Sequence, residues 1–238
     1  MFRYDKSMNF TTITTTQRGL DGLIASDIAR KIFSGQLQPG SVLPTEVELC
    51  EQLGVSRTAL REALKLVSSK GLLESRPKTG TRVRARTDWN ILDVQLLEWL
   101  SGMEGTLEMY QQFLEFRRVI EPHATRLAAI NATREQCIAL SQTWEEMCRI
   151  AQHFDAEQWV DADTRFHRII FMSSGNCFYQ PFGNVLTTVF KWFISHSSKE
   201  GGMCLDDHER IYKAIMAGDA EAAFLASLGM MDASKHRL

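Results

Sequence analysis

Apolar residues recur every three or four positions over most of this chain, and the exceptions are two short extended runs. From Leu20 to Phe33 the apolar set is Leu20, Leu23, Ile24, Ile28 and Ile32, which is one face of a helix ending near Gly35. Gln38, Pro39 and Gly40 make a turn. Pro44, Thr45 and Glu46 open a second short helix through Leu53, with Thr45 as its cap. Gly54 breaks that helix, and Ser56 starts a third that reaches about Lys70. Helix, glycine turn and helix is the helix-turn-helix arrangement. The runs Gly71 to Arg76 and Thr81 to Arg84, around Pro77, Lys78, Thr79 and Gly80, predict a β-hairpin that would be the wing of a winged helix.

Beyond Asp88 the pattern is almost wholly helical, with stretches at about 93–101, 106–131, 134–152, 156–174, 178–196, 205–217 and 219–235. Breakers such as Gly105, Asn131, Gly175, Gly201 and Gly218 fall between them, and no repeat of 20–50 residues appears. The expected fold is mainly α: an N-terminal winged helix-turn-helix domain and a C-terminal all-α antiparallel helical bundle. The expected division is a disordered tail at 1–16, the winged helix at 17–86, a linker at 87–92 and the helical domain at 93–238.

Charge sharpens this division. The whole chain of 238 residues carries a net charge of −2, but residues 1–86 hold 14 Lys/Arg against 8 Asp/Glu, a net of +6. Residues 87–238 hold 13 against 21, a net of −8. A basic front on an acidic body points to a nucleic-acid-binding module joined to something else. The five cysteines are odd in number and form no CxxC pair, which fits reduced thiols rather than a disulfide framework. No stretch approaches the roughly 18 apolar residues of a membrane span, and Met1 to Thr16 lacks the apolar core of a signal peptide. A cytoplasmic protein with no membrane partner is expected.

The third predicted helix is built to touch double-stranded DNA. Ser56 caps it, and Arg57 and Thr58 project from its N-terminal end, the part of a recognition helix that meets base edges. Arg61 lies four residues after Arg57 on the same face. Arginine is the usual bidentate reader of guanine O6 and N7. Thr45 at a helix N-terminus can set backbone N–H groups against a phosphate. Lys65 and Lys78 add salt-dependent affinity, and the wing turn at Thr79 and Gly80 suits the DNA backbone or minor groove. The alternative for Arg61 is a surface ion pair with Glu62 or Glu48.

The run from Gly35 to Glu46 (GQLQPGSVLPTE) and that from Leu53 to Leu64 (LGVSRTALREAL) resemble the GntR family of bacterial transcription regulators. The helical part resembles the FadR-type (FCD) effector domain of that family. The residues that carry this likeness are Glu115, Arg117, Glu121 and Pro122; Asp163 and His167; Gly175 and Asn176; and His208, Ile211, Ala214, Ile215, Gly218 and Asp219. Trp89, Asn90, Leu92, Asp93, Leu97 and Trp99 most resemble repressors of sugar-acid (galactonate-type) operons. The resemblance implies a homodimer on a palindromic operator, released when a small carboxylate enters the helical domain. Relatives often carry Arg in the second helix before Glu-Leu, where it helps to read bases; this chain has Val47.

Asp163 and His167 are i, i+4 on one helix, so a carboxylate and an imidazole converge as a divalent metal requires. The resemblance makes His208 a third ligand, and it puts Met230 where relatives commonly use another histidine. Two histidines and one carboxylate suit a divalent ion of the zinc, nickel or manganese kind, with open positions for effector oxygens. The alternative is a hydrogen-bonded Asp–His–His cluster that meets the effector directly. Arg117 offers a guanidinium fork to an effector carboxylate, or else pairs within its own helix with Glu121. His196 can donate to a polyol hydroxyl, or it is a surface histidine. Two other functions compete: a metal-dependent enzyme using Asp163, His167 and His208, and an architectural DNA binder. The enzyme lacks a nucleophile–base pair or a Gly-rich phosphate loop, and the architectural protein needs no buried polar pocket. A regulator answering to another small hydroxy acid remains open beside the sugar-acid reading.

Overall fold

The computed structural model describes residues 19–76, 79–103, 107–197 and 204–231, so the expected tail at 1–16 lies outside the described residues. The chain divides into two compact units, Met1–Gly105 and Thr106–Leu238.

In the first unit, α1 (Leu20–Phe33) buries Ile24, Ala25, Ile28, Ala29 and Ile32, the i, i+4 stripe of the sequence. In α2 (Glu46–Leu53), Thr45 closes a capping box with Glu48, and in α3 (Arg57–Ser69) the Ser56 hydroxyl accepts from the Ala59 N–H at 3.3 Å. Between them Gly54 adopts φ 69°, the left-handed conformation that glycine takes without a Cβ penalty, and ends α2 sharply. The hairpin pairs β1 (Leu73–Arg76) with β2 (Gly80–Val83) in antiparallel register, Leu73 opposite Val83 and Arg76 opposite Gly80. The loop before α2 extends this sheet through a Val42–Arg82 bridge, with the Leu43 N–H donating to the Thr81 carbonyl at 2.8 Å.

The sequence reading expects the second domain from residue 93, and the first compact unit extends to Gly105. The segment read as a linker turns through a short 3-10 helix (Arg86–Asp88), and α4 (Val94–Leu100) belongs to the first unit. Asp93 caps α4 and also receives Lys70 Nζ, just beyond the end of α3, at 2.9 Å. The Asn90 N–H donates to the Lys70 carbonyl at 2.9 Å, and the Arg30 guanidinium of α1 donates to the Trp99 and Ser101 carbonyls at 3.1 and 3.2 Å. Gly71, at φ 76°, lies against this strap so closely that a Cβ there would be 2.1 Å from the Asp88 carbonyl oxygen. Leu96, Leu97, Trp99 and Leu100 are buried, and α4 packs on α1. Short apolar helices show burial in their sequence but not their partner.

The second unit is all α among the described residues: α5 (Leu107–Asn131), α6 (Arg134–Gln152), α7 (Ala156–Ser173), α8 (Gln180–Ser197), α9 (Leu205–Met216) and α10 (Ala220–Met230). Thr133, Asp155 and Asp219 cap α6, α7 and α10 with side-chain oxygens. Helix α7 packs against α5, α6 and α8, and α10 packs against α5 and α9. Phe166 and Phe171 of α7 are fully buried at the centre with Leu140, Met147, Leu186 and Ile211, each such ring contributing about 1.5–3 kcal/mol of burial. Pro122 sits inside α5 and cannot donate to the carbonyl one turn back, so the helix ladder lacks one bond beside Glu121. No helix among the described residues is long and apolar enough to cross a membrane.

Candidate metal centre and nucleic-acid interface

Three helices of the second unit converge on one buried polar cluster. Helix α7 presents Asp163 and His167, α9 presents His208 and α5 presents Arg117 and Glu121; all five are buried, with Glu121 at 0% exposure. His208 Nε2 lies 2.7 Å from Asp163 Oδ1, and His167 Nε2 lies 3.5 Å from the same oxygen. Asp163, His167 and His208 each offer one ligand atom, all within 4.8 Å of one another. The i, i+4 pair read on α7 is therefore met by the third residue from α9.

The far side of each imidazole is also held. His208 Nδ1 is 2.9 Å from the Cys204 carbonyl, which only accepts, so Nδ1 carries a proton and Nε2 faces Asp163. An imidazole nitrogen and a carboxylate oxygen at that separation share a proton or a cation. His167 Nδ1 contacts Glu121 Oε1. An imidazole tied by one nitrogen to a carboxylate or carbonyl, with the other turned to a common point, is how metal-ligating histidines are oriented. The donor set fits a divalent ion. Phe166 stands edge-on to both imidazoles, with ring centroids 5.6 and 5.2 Å away, and Trp159 edge-on to His208 at 5.9 Å, so apolar walls flank the cluster.

Electrostatics keep the Glu121 and Asp163 carboxylates charged inside the core. Burial raises the Glu121 carboxyl, but Arg117 and His167 outweigh it and hold the pKa at about 2. Burial also raises Asp163, yet the charge of His167 and hydrogen bonds from both histidines hold it far below the ordinary carboxylate range. Burial lowers His167, and Glu121 and Asp163 reverse that and raise it. The Tyr110 hydroxyl of α5 is raised by burial and by the Asp163 charge, against the pull of Arg117.

The cluster modifies the expectation for Arg117. Its fork closes on Glu121 within α5: Nε contacts Oε2, and the second terminal nitrogen donates to Oε1 at 3.1 Å. The intrahelical pair is what forms, and it is buried. Glu121 joins Arg117 to His167 and is the central residue that the sequence reading left in a secondary place, since its bond to α7 spans 46 positions. Tyr110 was missed altogether; a tyrosine on an amphipathic helix carries no signal of its own. His196 falls in α8, but its side chain lies outside the described residues. Met230, placed by the family resemblance where a further histidine is expected, is buried.

The predicted DNA-reading residues gather at the α2–α3 corner and the wing. Arg57 and Thr58 are exposed at the start of α3. Arg61 Nε donates to Glu46 Oε2 of α2 at 2.9 Å, a different partner from the Glu62 or Glu48 considered for it, while Lys65 Nζ pairs with Glu62 at 2.7 Å. Thr45 is consumed by its cap: its N–H and its hydroxyl both donate to Glu48 Oε2, at 2.8 and 2.7 Å. Any phosphate at that helix start is left with the amides that follow. Val47 projects 48% exposed from the first turn of α2. Thr79 and Gly80 form the wing turn, and Lys78 lies outside the described residues.

Comparison with known proteins accounts for both halves. The family model for bacterial regulatory proteins of the gntR family matches residues 22–83, and the FCD domain model matches residues 112–233. The chain is similar to the HTH-type transcriptional regulator YieP of Escherichia coli (strain K12), 36% identical over 215 residues, covering 90% of this chain and 94% of that one. It is also similar to the galactonate operon transcriptional repressor of the same organism, 30% identical over 219 residues, covering 90% and 95%. Among solved structures, Lar, titled as controlling the expression of the Listeria monocytogenes agr system, superposes with a TM-score of 0.60 at 20% identity, covering 92% and 95%.

Proposed function

Because the chain belongs to the GntR family of bacterial regulatory proteins and carries an FCD domain, it is a DNA-binding transcriptional regulator and not an enzyme; we propose that it represses a sugar-acid catabolic operon and leaves its palindromic operator when a small carboxylate binds the helical unit. The observation that carries this reading is the buried cluster of Asp163, His167, His208, Arg117 and Glu121. Ionised groups held in a core carry a desolvation cost even when paired, and such perturbed groups cluster at functional sites. The likeness to a galactonate operon repressor favours a sugar acid over other carboxylates.

In this reading Asp163, His167 and His208 hold a divalent ion, and Glu121 and the Cys204 carbonyl fix the two imidazoles that face it. Such an ion supplies open coordination positions to effector oxygens. Arg117, already paired with Glu121, contributes its charge rather than a free fork. Exposed apolar side chains on α5 (Val119, Ile130) and α10 (Leu225, Leu228), the latter helix carrying Glu221 as its single charged residue, support a homodimer through this region. Effector binding then alters how two winged helices meet half-sites about one DNA turn apart.

The test is operator binding by the full chain, read by fluorescence anisotropy, with sugar acids and small hydroxy acids added with and without zinc, nickel or manganese. At least one sugar acid should weaken binding and raise the melting temperature, and should do both only with metal. An operator affinity indifferent to every sugar acid, with a hydroxy acid active instead, transfers the reading to that ligand class. Indifference to both classes removes it.

A further inference from the structure

We propose that Val47 reads a base: its isopropyl group seats against the 5-methyl of a thymine in the major groove, next to the base pair that Arg61 contacts. The inference rests on the DNA-binding role of the α2–α3 corner and adds a specificity-determining residue to it. A single exposed apolar side chain is ordinary in itself; the position of this one is what carries the argument. Leu49 and Leu53 mark the buried side of α2, and Val47, two residues before Leu49, falls about 200° round the helix from it. It therefore stands away from the core, 48% exposed.

The neighbouring residue fixes which surface that is. Glu46 Oε2 accepts from Arg61 Nε at 2.9 Å, so the first turn of α2 touches the exposed face of α3. With Nε held by Glu46, the two terminal nitrogens of Arg61 remain to form the fork that guanine O6 and N7 accept. The carboxylates on either side of Val47 are both engaged, Glu46 by Arg61 and Glu48 by the Thr45 cap. Val47 is thus an exposed apolar side chain next in sequence to the Glu46 that buttresses Arg61. It has no donor or acceptor for a phosphate, for guanine or for adenine. The thymine methyl is the apolar group that the major groove displays, and it is the partner whose chemistry matches. A β-branched residue also costs a few tenths of a kcal/mol of helix propensity relative to alanine at such a site, so the fold itself gives no reason for it.

The experiment uses the full-length protein. Its operator is first obtained by repeated selection from random duplexes, and each thymine is then replaced by deoxyuridine, which deletes the methyl and nothing else. One thymine in each half-site should show a loss of about fourfold in affinity on that replacement, the worth of one buried methyl-sized group. The V47A protein should bind the thymine operator with the same loss and show no further penalty from deoxyuridine, whereas V47I should keep the penalty. Selection repeated with V47R should replace that thymine with another base. An enriched operator without a deoxyuridine-sensitive thymine, or V47A with an undiminished penalty, overturns the proposal alone. A wild-type chain that enriches no sequence overturns the DNA-binding role and the proposal together.

Discussion

Glu121 is the side chain on which the buried cluster turns, because it neutralises Arg117 and orients His167 at once. Its folded pKa of about 2 lies below the ordinary glutamate value of 4.5. A depressed carboxylate contributes stability that is present above the unfolded pKa and lost as pH falls through the folded one. For the metal-free protein, urea midpoints should therefore drop steeply between about pH 4.5 and 2, with Asp163 adding to the loss over the same acid range. Glu121→Gln should flatten that drop while lowering stability at pH 7 by about 3–5 kcal/mol, since it strands a buried guanidinium. A variant as stable at neutral pH as the parent would show that the Arg117 pair matters little. Asp163→Ala and His167→Ala should each lower metal content after dialysis against zinc, and undiminished metal in both would remove the ligand assignment. On the DNA side, Arg57→Ala should relax discrimination at its base by about 1–3 kcal/mol, seen as a broader selected operator; an unchanged operator would relieve Arg57 of that role.

Single elements show where local rules sufficed. Ser56 was legible as a cap, and Ser56→Ala should cost about 1 kcal/mol of first-unit stability in urea unfolding. Three helices of the second unit, α6, α7 and α10, begin where Thr133, Asp155 and Asp219 stand, because capping and a 3.6-residue period are local and strong. The hairpin was equally legible from its turn. What sequence could not supply were contacts fixed by packing. The Asp163–His167 pair is local to α7, but His208 arrives from 41 positions away, and family resemblance rather than spacing identified it. Glu121 was visible in the family likeness and as the i+4 partner of Arg117, not as the group that holds His167. Helix α4 announced that it was buried, not that it would lie on α1. Gly71 had no signal at all, yet its close approach to Asp88 makes it decisive. Gly71→Ala should destabilise the first unit by upward of about 2 kcal/mol through the clash and the strained φ, and a melting temperature within a degree of the parent would contradict that packing.

At the scale of the whole molecule, the charge step at residue 86 and the structural step near residue 105 do not coincide. The basic composition ends with the wing, whereas the cooperative unit continues through the strap that Lys70, Gly71 and Arg30 hold. A fragment of residues 1–103 should unfold in one sharp transition by circular dichroism. A fragment of residues 1–86, stripped of Leu96, Leu97, Trp99 and Leu100, should melt lower and expose apolar surface on α1; equal melting of the two would show that the strap is dispensable. The same geometry decides where such a regulator can be cut and rejoined. A hybrid that grafts this reading head onto a foreign sensor needs its seam after Met103, so that the donor brings its own Asp93 and α4. A seam at the wing would leave Lys70 facing whatever residue the new sensor happens to supply, and a sensor chosen only for its ligand would then unsettle the helix that reads the operator.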